Sequence, residues 1–329
     1  MMYKSIKKIV IFTSNKCNMR CDYCFEGDKM KSMEPFTDFK ALHKFVKKLP
    51  LAHDIVFKFQ GGEPLLNPDA IKACFDEMSE LDTYGYNTYY GMNTNGCPAD
   101  TLNDLMQDKY IQPDYVNISF DGIMADTKMD IYELNKINYK DLITVRIAVV
   151  PKIIDHLAET FLLVSSMGFN VQYYLLDDVD YSGYEEDFRY QLRWLIKTQS
   201  IHHNNIASKV YFRGCPNLAN TIFIDGKGNI YMCGMCSSIA LGSEEYAIGN
   251  IYDGFDRDKY TQMMNNICQN NKTKCFAREF IIGPDHEKGK TELISIEKEE
   301  CNTSTLNAKY NPIVPPDFPF SDLSAVKPN

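Results

Sequence analysis

The chain has no apolar run long enough to span a bilayer, a single tryptophan in 329 residues, and fewer cations than anions: 35 Lys and Arg against 44 Asp and Glu, a formal charge of −9. The first absence removes the expectation of a membrane-spanning helix. The shortage of cations leaves no basic field to grip a phosphate backbone, so neither membrane nor nucleic acid is expected as a partner. Met1 to Lys8 is basic, but only four apolar residues follow (Ile9 to Phe12), too few for a secretory signal. A cytoplasmic protein is expected. The six histidines form no HxxxH or HExxH pair, and His202-His203 reads as a polar loop. Gly226-Lys227-Gly228 lacks the residues of a phosphate loop, and no internal repeat occurs.

What is present suffices for a sizeable core: 44% of residues are apolar and 12% aromatic, enough for one large domain and a smaller one. Eleven cysteines, an odd number, are spread unevenly, with three inside eight residues. In a reducing compartment such a clump reads as metal binding rather than disulfides.

Strand-length apolar or β-branched runs occur at Lys8 to Ser14, Asp54 to Gln60, Asn87 to Met92, Tyr115 to Phe120, Ile143 to Val150 and Val171 to Leu176. Helical patterns fall between them, at Thr37 to Leu49, Asn67 to Leu81, Ala99 to Gln107, Tyr132 to Asn138 and Ile153 to Met167. This alternation predicts an α/β fold with a parallel sheet and ligands at the carboxyl ends of its strands. Six βα units fit a partial (β/α)6 barrel of the TIM type better than a complete eightfold one. The alternation ends near Trp194 to Ile196, and Thr221 to Ile224 with Ile230 to Met232, around Asp225-Gly226-Lys227-Gly228-Asn229, reads as a β-hairpin. Six of the cysteines lie at or after Cys215. The expected division is therefore a barrel over 1–200, a second domain over 201–300 and an extended tail over 301–329, whose last eighteen residues hold five prolines.

Cys17-Asn18-Met19-Arg20-Cys21-Asp22-Tyr23-Cys24 directly follows the first strand. Three thiolates so spaced can hold three irons of a cubane. The fourth iron, without a protein ligand, is free to chelate a small molecule. The competing readings are a zinc site, since Cys21 and Cys24 form a CxxC, and reduced structural thiols. At the end of the second strand stands Gln60-Gly61-Gly62-Glu63-Pro64, where paired glycines let the main chain approach a ligand.

A CxxxCxxC loop after strand one followed by GGEP after strand two resembles the radical S-adenosylmethionine (SAM) superfamily. The resemblance implies that Cys17, Cys21 and Cys24 hold a [4Fe–4S] cluster whose open iron binds SAM. It further implies that Tyr23 lies near the adenine and that the backbone of Gly61, Gly62, Glu63 and Pro64 holds the methionine amino group. Asn93-Thr94-Asn95-Gly96 and Ser119-Phe120-Asp121-Gly122 look like strand ends that line the SAM site, with Asn95 and Ser119 as candidate contacts. In the peptide-modifying branch an arginine that pairs with the methionine carboxylate often follows. Ala125 to Met129 lacks it, and Lys128 and Arg146 are the cations that could take its place.

Downstream, Cys215, then Gly228, then Cys233 resembles the opening of the SPASM and shorter twitch extensions, which hold auxiliary iron–sulfur clusters. Ile248-Gly249-Asn250-Ile251 resembles a segment that follows there. The cysteines are too few for two clusters, so the resemblance implies one auxiliary [4Fe–4S] cluster held by Cys215 and Cys233 with the rest drawn from Cys236, Cys268 and Cys275. For Cys236 the readings are ligand, hydrogen-atom donor or inert thiol. Cys74, Cys97 and Cys301 have no companions at ligand spacing and read as packing.

The implied activity is reductive cleavage of SAM to a 5′-deoxyadenosyl radical that abstracts hydrogen from a ribosomally made peptide or protein, giving a crosslink, an epimer or an oxidised residue. An enzyme acting on a small metabolite, as dehydrogenase or cyclase, is the alternative, and a non-catalytic iron–sulfur or zinc redox sensor is the reading from another class. Implied partners are a flavodoxin- or ferredoxin-type electron donor and, because only sixteen residues precede Cys17, a separate leader-peptide-binding protein where barrel or extension does not read the leader.

Overall fold

The computed structural model describes residues 5–24, 34–123, 129–176, 179–198, 220–237, 243–256, 258–263 and 289–303. In chain order the elements are β1 (Ile6–Ser14), α1 (Phe39–Val46), β2 (Leu51–Gly61), α2 (Pro68–Met78), β3 (Asn87–Thr94), α3 (Ala99–Gln107), β4 (Tyr115–Phe120), α4 (Ile131–Asn135), β5 (Ile143–Val149), α5 (Leu157–Ser166), β6 (Asn170–Leu175) and α6 (Glu185–Lys197). The short strands β7 (Thr221–Ile224), β8 (Ile230–Tyr231), β9 (Gly249–Asn250) and β10 (Gly254–Phe255) follow, and then helix α7 (Lys290–Thr303). These residues form two compact units, one drawn from Met1–Ser119, Thr127–Ile143 and Phe212–Pro284, the other from Phe120–Asp126, Thr144–Tyr211 and Asp285–Asn329.

In the first unit β1 to β4 are parallel neighbours, in register at Val10 with Lys58, Lys58 with Gly91, and Asn93 with Asn117. Each crossover carries a helix, as parallel pairing requires. Alternation along the strands sorts the side chains. Phe57, Phe59, Tyr90 and Met92 are buried on the helix side, where Phe75 of α2 stacks on Tyr90 with ring centroids 3.7 Å apart. The opposite face presents Val10 and Phe12, which are buried, and Lys58, Gln60, Asn93, Tyr115, Asn117 and Ser119, which are only half-buried. Gly91 lies on that face because the Tyr115 ring crosses it: a Cβ there would come within 2.0 Å of the ring.

The hairpin predicted from the sequence is present, with β7 and β8 antiparallel. Its placement could not be foreseen. β7 adds to the free edge of β1 as a parallel strand, Lys8 opposite Thr221 and Ile11 opposite Ile224. Phe223 and Tyr231 thereby join Val10 and Phe12 in one buried cluster. Asp225 ties the turn: its carboxylate accepts from the main-chain N–H of Lys227 and Asn229 at 2.9 Å each and from the Tyr231 hydroxyl at 3.0 Å.

In the second unit β5 and β6 are parallel, Val145 opposite Val171, and α7 packs on α6 and β6. Leu293, Ile296, Glu297 and Glu300 of α7 are buried at helical spacing. Arg189 and Arg193 of α6 bond Glu300 at 2.7 and 3.0 Å, and the Tyr173 hydroxyl donates to Glu297 at 2.6 Å. The sequence pattern did not announce this helix, which runs through Thr303, past the expected start of the tail. Element ends also differ. Asp38 caps α1 by accepting from the Ala41 N–H, so the helix begins at Phe39 rather than Thr37, and the pattern expected from Ile153 opens with the 3-10 turn Pro151–His156. Among the described residues no helix is long and apolar enough to cross a membrane.

Candidate active site

The loop that carries Cys17, Cys21 and Cys24 leaves β1 at Ser14, and the Ser14 hydroxyl bonds the Lys16 main chain to turn it. Cys17 is half-buried and packs against the Val10, Phe12, Phe223 and Tyr231 cluster. Its sulfur accepts from the Met19 N–H at 3.4 Å and from the Asn95 amide at 3.8 Å. Burial is the largest influence on this thiol and holds its pKa above the ordinary value. The Met19 N–H works against it, the charges of Glu63 and Cys24 reinforce it, and the Asn95 amide opposes it weakly. Cys21 is half-buried and Cys24 exposed, and the Cys24 N–H donates to the Cys21 carbonyl at 3.0 Å, a turn that keeps the two side by side in the chain.

The Gly61 to Pro64 segment is fastened to this loop along the main chain. Gly62 donates to the Ser14 carbonyl at 2.9 Å and Glu63 to the Lys16 carbonyl at 2.7 Å. Gly61, at φ +153°, sits so close that a Cβ would lie 2.3 Å from the Ser14 oxygen, which only glycine tolerates. Glu63 is fully buried. Its carboxylate accepts from the Leu65 N–H at 2.9 Å, the Thr94 hydroxyl at 2.5 Å and the Asn95 N–H at 2.6 Å. Glu63 therefore joins three strand ends: its main chain holds the cysteine loop, its side chain the end of β3. Pro64 opens the 3-10 turn Pro64–Leu66.

Tyr23 and Ser119 are half-buried, one in the cysteine loop and the other at the end of β4. Arg146 lies on β5 in the second unit, with its guanidinium 5.0 Å from the centre of the Tyr174 ring and its Nε buried without a hydrogen-bond partner. Lys128 lies outside the described residues, as do Cys215, Cys268 and Cys275. Cys233 and Cys236 are described: Cys233 is half-buried, Cys236 is buried, and the Cys236 N–H closes the turn onto the Cys233 carbonyl at 3.1 Å. Cys74 is fully buried. Sequence reasoning passed over Asn18, whose amide bonds both Asn95 and the Cys97 carbonyl, and Tyr231, whose contact with the Cys17 cluster is made across the sheet and leaves no local signal.

Among the described residues no three His, Cys, Asp or Glu side chains converge on one point at metal-ligand distance. The donor set nonetheless fits an iron–sulfur cluster. Three thiols share one short loop, and the half-buried Cys17 sulfur has N–H donors aimed at it and an apolar wall behind it, the surroundings such a cluster uses.

Residues 11–144 match the family model of the Radical SAM superfamily. An uncharacterized protein of Methanocaldococcus jannaschii is 26% identical over 306 residues, 85% of this chain and 98% of that one. A GTP 3′,8-cyclase of Desulforamulus reducens is 29% identical over 139 residues, 41% of this chain, and the match spans only 40% of the cyclase. Among solved structures, anSMEcpe with bound AdoMet and Kp18Cys peptide superposes with a TM-score of 0.64 at 17% identity, covering 92% of this chain and 99% of that one. That likeness is one of fold, a mixed α/β architecture with a large parallel sheet of the partial TIM-barrel type, and it is the family match over residues 11–144 that implies a [4Fe–4S] cluster and SAM. With the cysteine loop and the GGEP turn joined as described, residues 11–144 carry the features of a Radical SAM superfamily domain.

Proposed function

We propose that this enzyme removes hydrogen from a C–H bond of a ribosomally made peptide or protein. The observation that carries the reading is the inward strip Gln60, Asn93, Asn117 and Ser119 on adjacent strands, half-buried where a parallel sheet is ordinarily apolar on both faces. Asn117 donates to the Asn93 Oδ1 at 3.2 Å, which leaves carboxamide donors and acceptors beside each other to meet the amides of an extended chain. The strip ends at the GGEP turn and at Asn95, so a substrate lying on it reaches the cysteine loop. The peptide bound to anSMEcpe supports the same reading by analogy of fold.

In this reading Cys17, Cys21 and Cys24 hold the cluster, and Tyr23, the Gly61 to Pro64 main chain and Ser119 bind SAM. When bound, cluster and cofactor supply one-electron cleavage of the sulfonium and a carbon radical for hydrogen abstraction. The protein orients: Glu63 fixes the two loops, and the Phe12, Phe223 and Tyr231 cluster excludes water from one side of Cys17. Cys233 and Cys236 contribute to one auxiliary cluster with ligands from Cys215, Cys268 or Cys275, and a flavodoxin or ferredoxin delivers electrons.

Anaerobically reconstituted protein given reductant and SAM should release 5′-deoxyadenosine and methionine slowly without substrate. The Cys17, Cys21, Cys24→Ala triple variant should release none while retaining about half of roughly eight irons per chain, on the pattern of two cysteine-held cubanes. Cleavage by that variant removes the assignment. A second reading, action on a metabolite, has the similarity to the GTP 3′,8-cyclase in its favour. It takes over where co-expressed precursor peptides keep their mass and stereochemistry while a nucleotide or small alcohol stimulates deoxyadenosine release.

A further inference from the structure

The carboxamide of Asn95 is 7% exposed and held at both ends. Its Oδ1 accepts from the Cys97 N–H at 2.9 Å, and because a main-chain N–H can only donate, this bond decides which end of the amide is oxygen. The NH2 end therefore faces the cysteine loop, where it donates to the Asn18 Oδ1 at 2.7 Å and lies 3.8 Å from the Cys17 sulfur. Asn18 is oriented in the same way, since its own NH2 donates to the Cys97 carbonyl at 3.1 Å. Behind Asn95, its main-chain N–H is fixed by Glu63 at 2.6 Å, and Thr94 is held by the same carboxylate.

We propose that Asn95 is a positioning residue for the cluster rather than a contact of SAM: locked by Glu63 and Cys97, it donates to the Cys17 sulfur and raises the reduction potential of the cluster that this sulfur holds. An N–H aimed at a thiolate draws charge from the sulfur and favours the reduced, more negative cluster. Cys17 then has two fixed donors, the Met19 N–H and the Asn95 amide, and each reports a different strand end: the first moves with the loop itself, the second with β3. Glu63 couples the donor to the GGEP turn, so a rearrangement there is felt at the sulfur. The proposal rests on the assignment of the cluster to Cys17, Cys21 and Cys24.

The test is a redox titration of the reconstituted full chain, following the electron paramagnetic resonance signal that added SAM perturbs. Asn95→Leu, which fills the space without a donor, should lower the midpoint potential, and Asn95→Asp should lower it further, because it keeps the Cys97 bond and turns a negative oxygen toward the sulfur. Asn18→Leu, which removes a neighbour of Asn95 and no donor to sulfur, should leave the potential at the wild-type value. SAM cleavage should fall about ten- to a hundredfold in the Asn95 variants, the usual cost of losing an outer-shell partner. An unchanged potential in Asn95→Leu, or an equal shift in Asn18→Leu, overturns the proposal. If neither Asn95 variant takes up iron, the wild type still decides: 15N-labelled asparagine should add a hyperfine coupling to the reduced cluster, and its absence overturns the proposal. A wild-type chain with no SAM-perturbed signal removes the cluster assignment and the proposal together. A wild-type signal without these shifts removes the proposal alone.

Discussion

Two cysteine-bearing turns of the first unit are built on different terms. Around Cys17 the polar groups are committed by bonds that cross between strand ends: Ser14 and Lys16 to the GGEP main chain, Glu63 to Thr94 and Asn95, Asn95 to Asn18 and Cys97. Around Cys233 and Cys236 the main-chain turn itself is closed locally, by Cys236 to Cys233 and by the Ser237 hydroxyl to the Gly234 carbonyl at 2.5 Å. A site assembled from three strand ends is fixed by the sheet and changes only if the sheet does. A turn closed by its own main chain places two thiols but depends on other segments to complete any ligand set. The two are nevertheless joined, because β7 and β8, which lead into the Cys233 turn, supply Phe223 and Tyr231 to the wall behind Cys17.

The largest expected effect tests that junction. Tyr231 is fully buried and its hydroxyl donates to Asp225. Tyr231→Ala should destabilise the protein by about 3–5 kcal/mol, the range for deleting a buried aromatic ring, as read by chemical denaturation. Because the ring belongs to the cluster against which Cys17 packs, iron bound at the first loop should fall, along with any iron at the auxiliary site proposed downstream. If the downstream region were an independent appendage, the first loop would keep its iron. Tyr231→Phe, which loses only the hydroxyl, should cost about 1 kcal/mol and leave both sites loaded.

A narrower expectation separates the turns. Glu63→Gln keeps the size of the side chain but puts an NH2 where one oxygen accepts, so a buried N–H or hydroxyl is left facing a donor. The cost should be about 2 kcal/mol, together with a loss of roughly ten- to a hundredfold in SAM cleavage. The hydrogen bonds described at Cys236 and Ser237 stay within their own turn, so any iron held at the auxiliary site proposed there should be retained. Loss of iron at both places in Glu63→Gln would mean that the local bonds of the second turn are subordinate to the first, contrary to the comparison.

Much of this architecture is legible in the chain because its signals are local. Strands buried on both faces read as continuous apolar runs, as in Ile9-Val10-Ile11-Phe12, and the helices between them carry apolar residues at helical spacing. The cysteine loop and the GGEP turn are legible as motifs, since each occupies one strand end. What is not legible is long-range: the edge that β7 pairs with, the destination of the Glu63 carboxylate, and the partnership of Asn18 and Asn95 are set by the sheet bringing together positions 31 to 78 residues apart or more. Helix α7 escaped notice because Glu292, Glu297, Glu299 and Glu300 dilute its apolar stripe, and two of these, Glu297 and Glu300, are buried only because Tyr173, Arg189 and Arg193 receive them.

The smallest expected effect concerns a thiol beside the first turn that the cluster does not use. Cys97 is half-buried, its main chain clasped by Asn95 and Asn18, and its pKa is raised from 9.0 to about 11, first by burial and then by the charges of Glu133, Glu63 and Asp130. A raised thiol pKa means that the folded chain keeps its proton where the unfolded chain has lost it. Stability from this group is therefore complete below pH 9, declines as the pH rises from about 9 to about 11, and is level beyond. Cys97→Ser, whose hydroxyl does not ionise there, should flatten that part of the stability profile without changing stability at neutral pH by more than a few tenths of a kcal/mol, about the scatter of a partly exposed substitution. Alkylation of Cys97, followed by mass spectrometry of the cleaved peptide, should be slow at neutral pH and accelerate toward pH 11, because the thiolate is the nucleophile. Rapid alkylation of Cys97 at neutral pH would show its thiolate to be stabilised rather than suppressed. The negative charge around the first turn would then be outweighed by the N–H donors that converge there, and the contrast between the two turns would have to be redrawn around those donors.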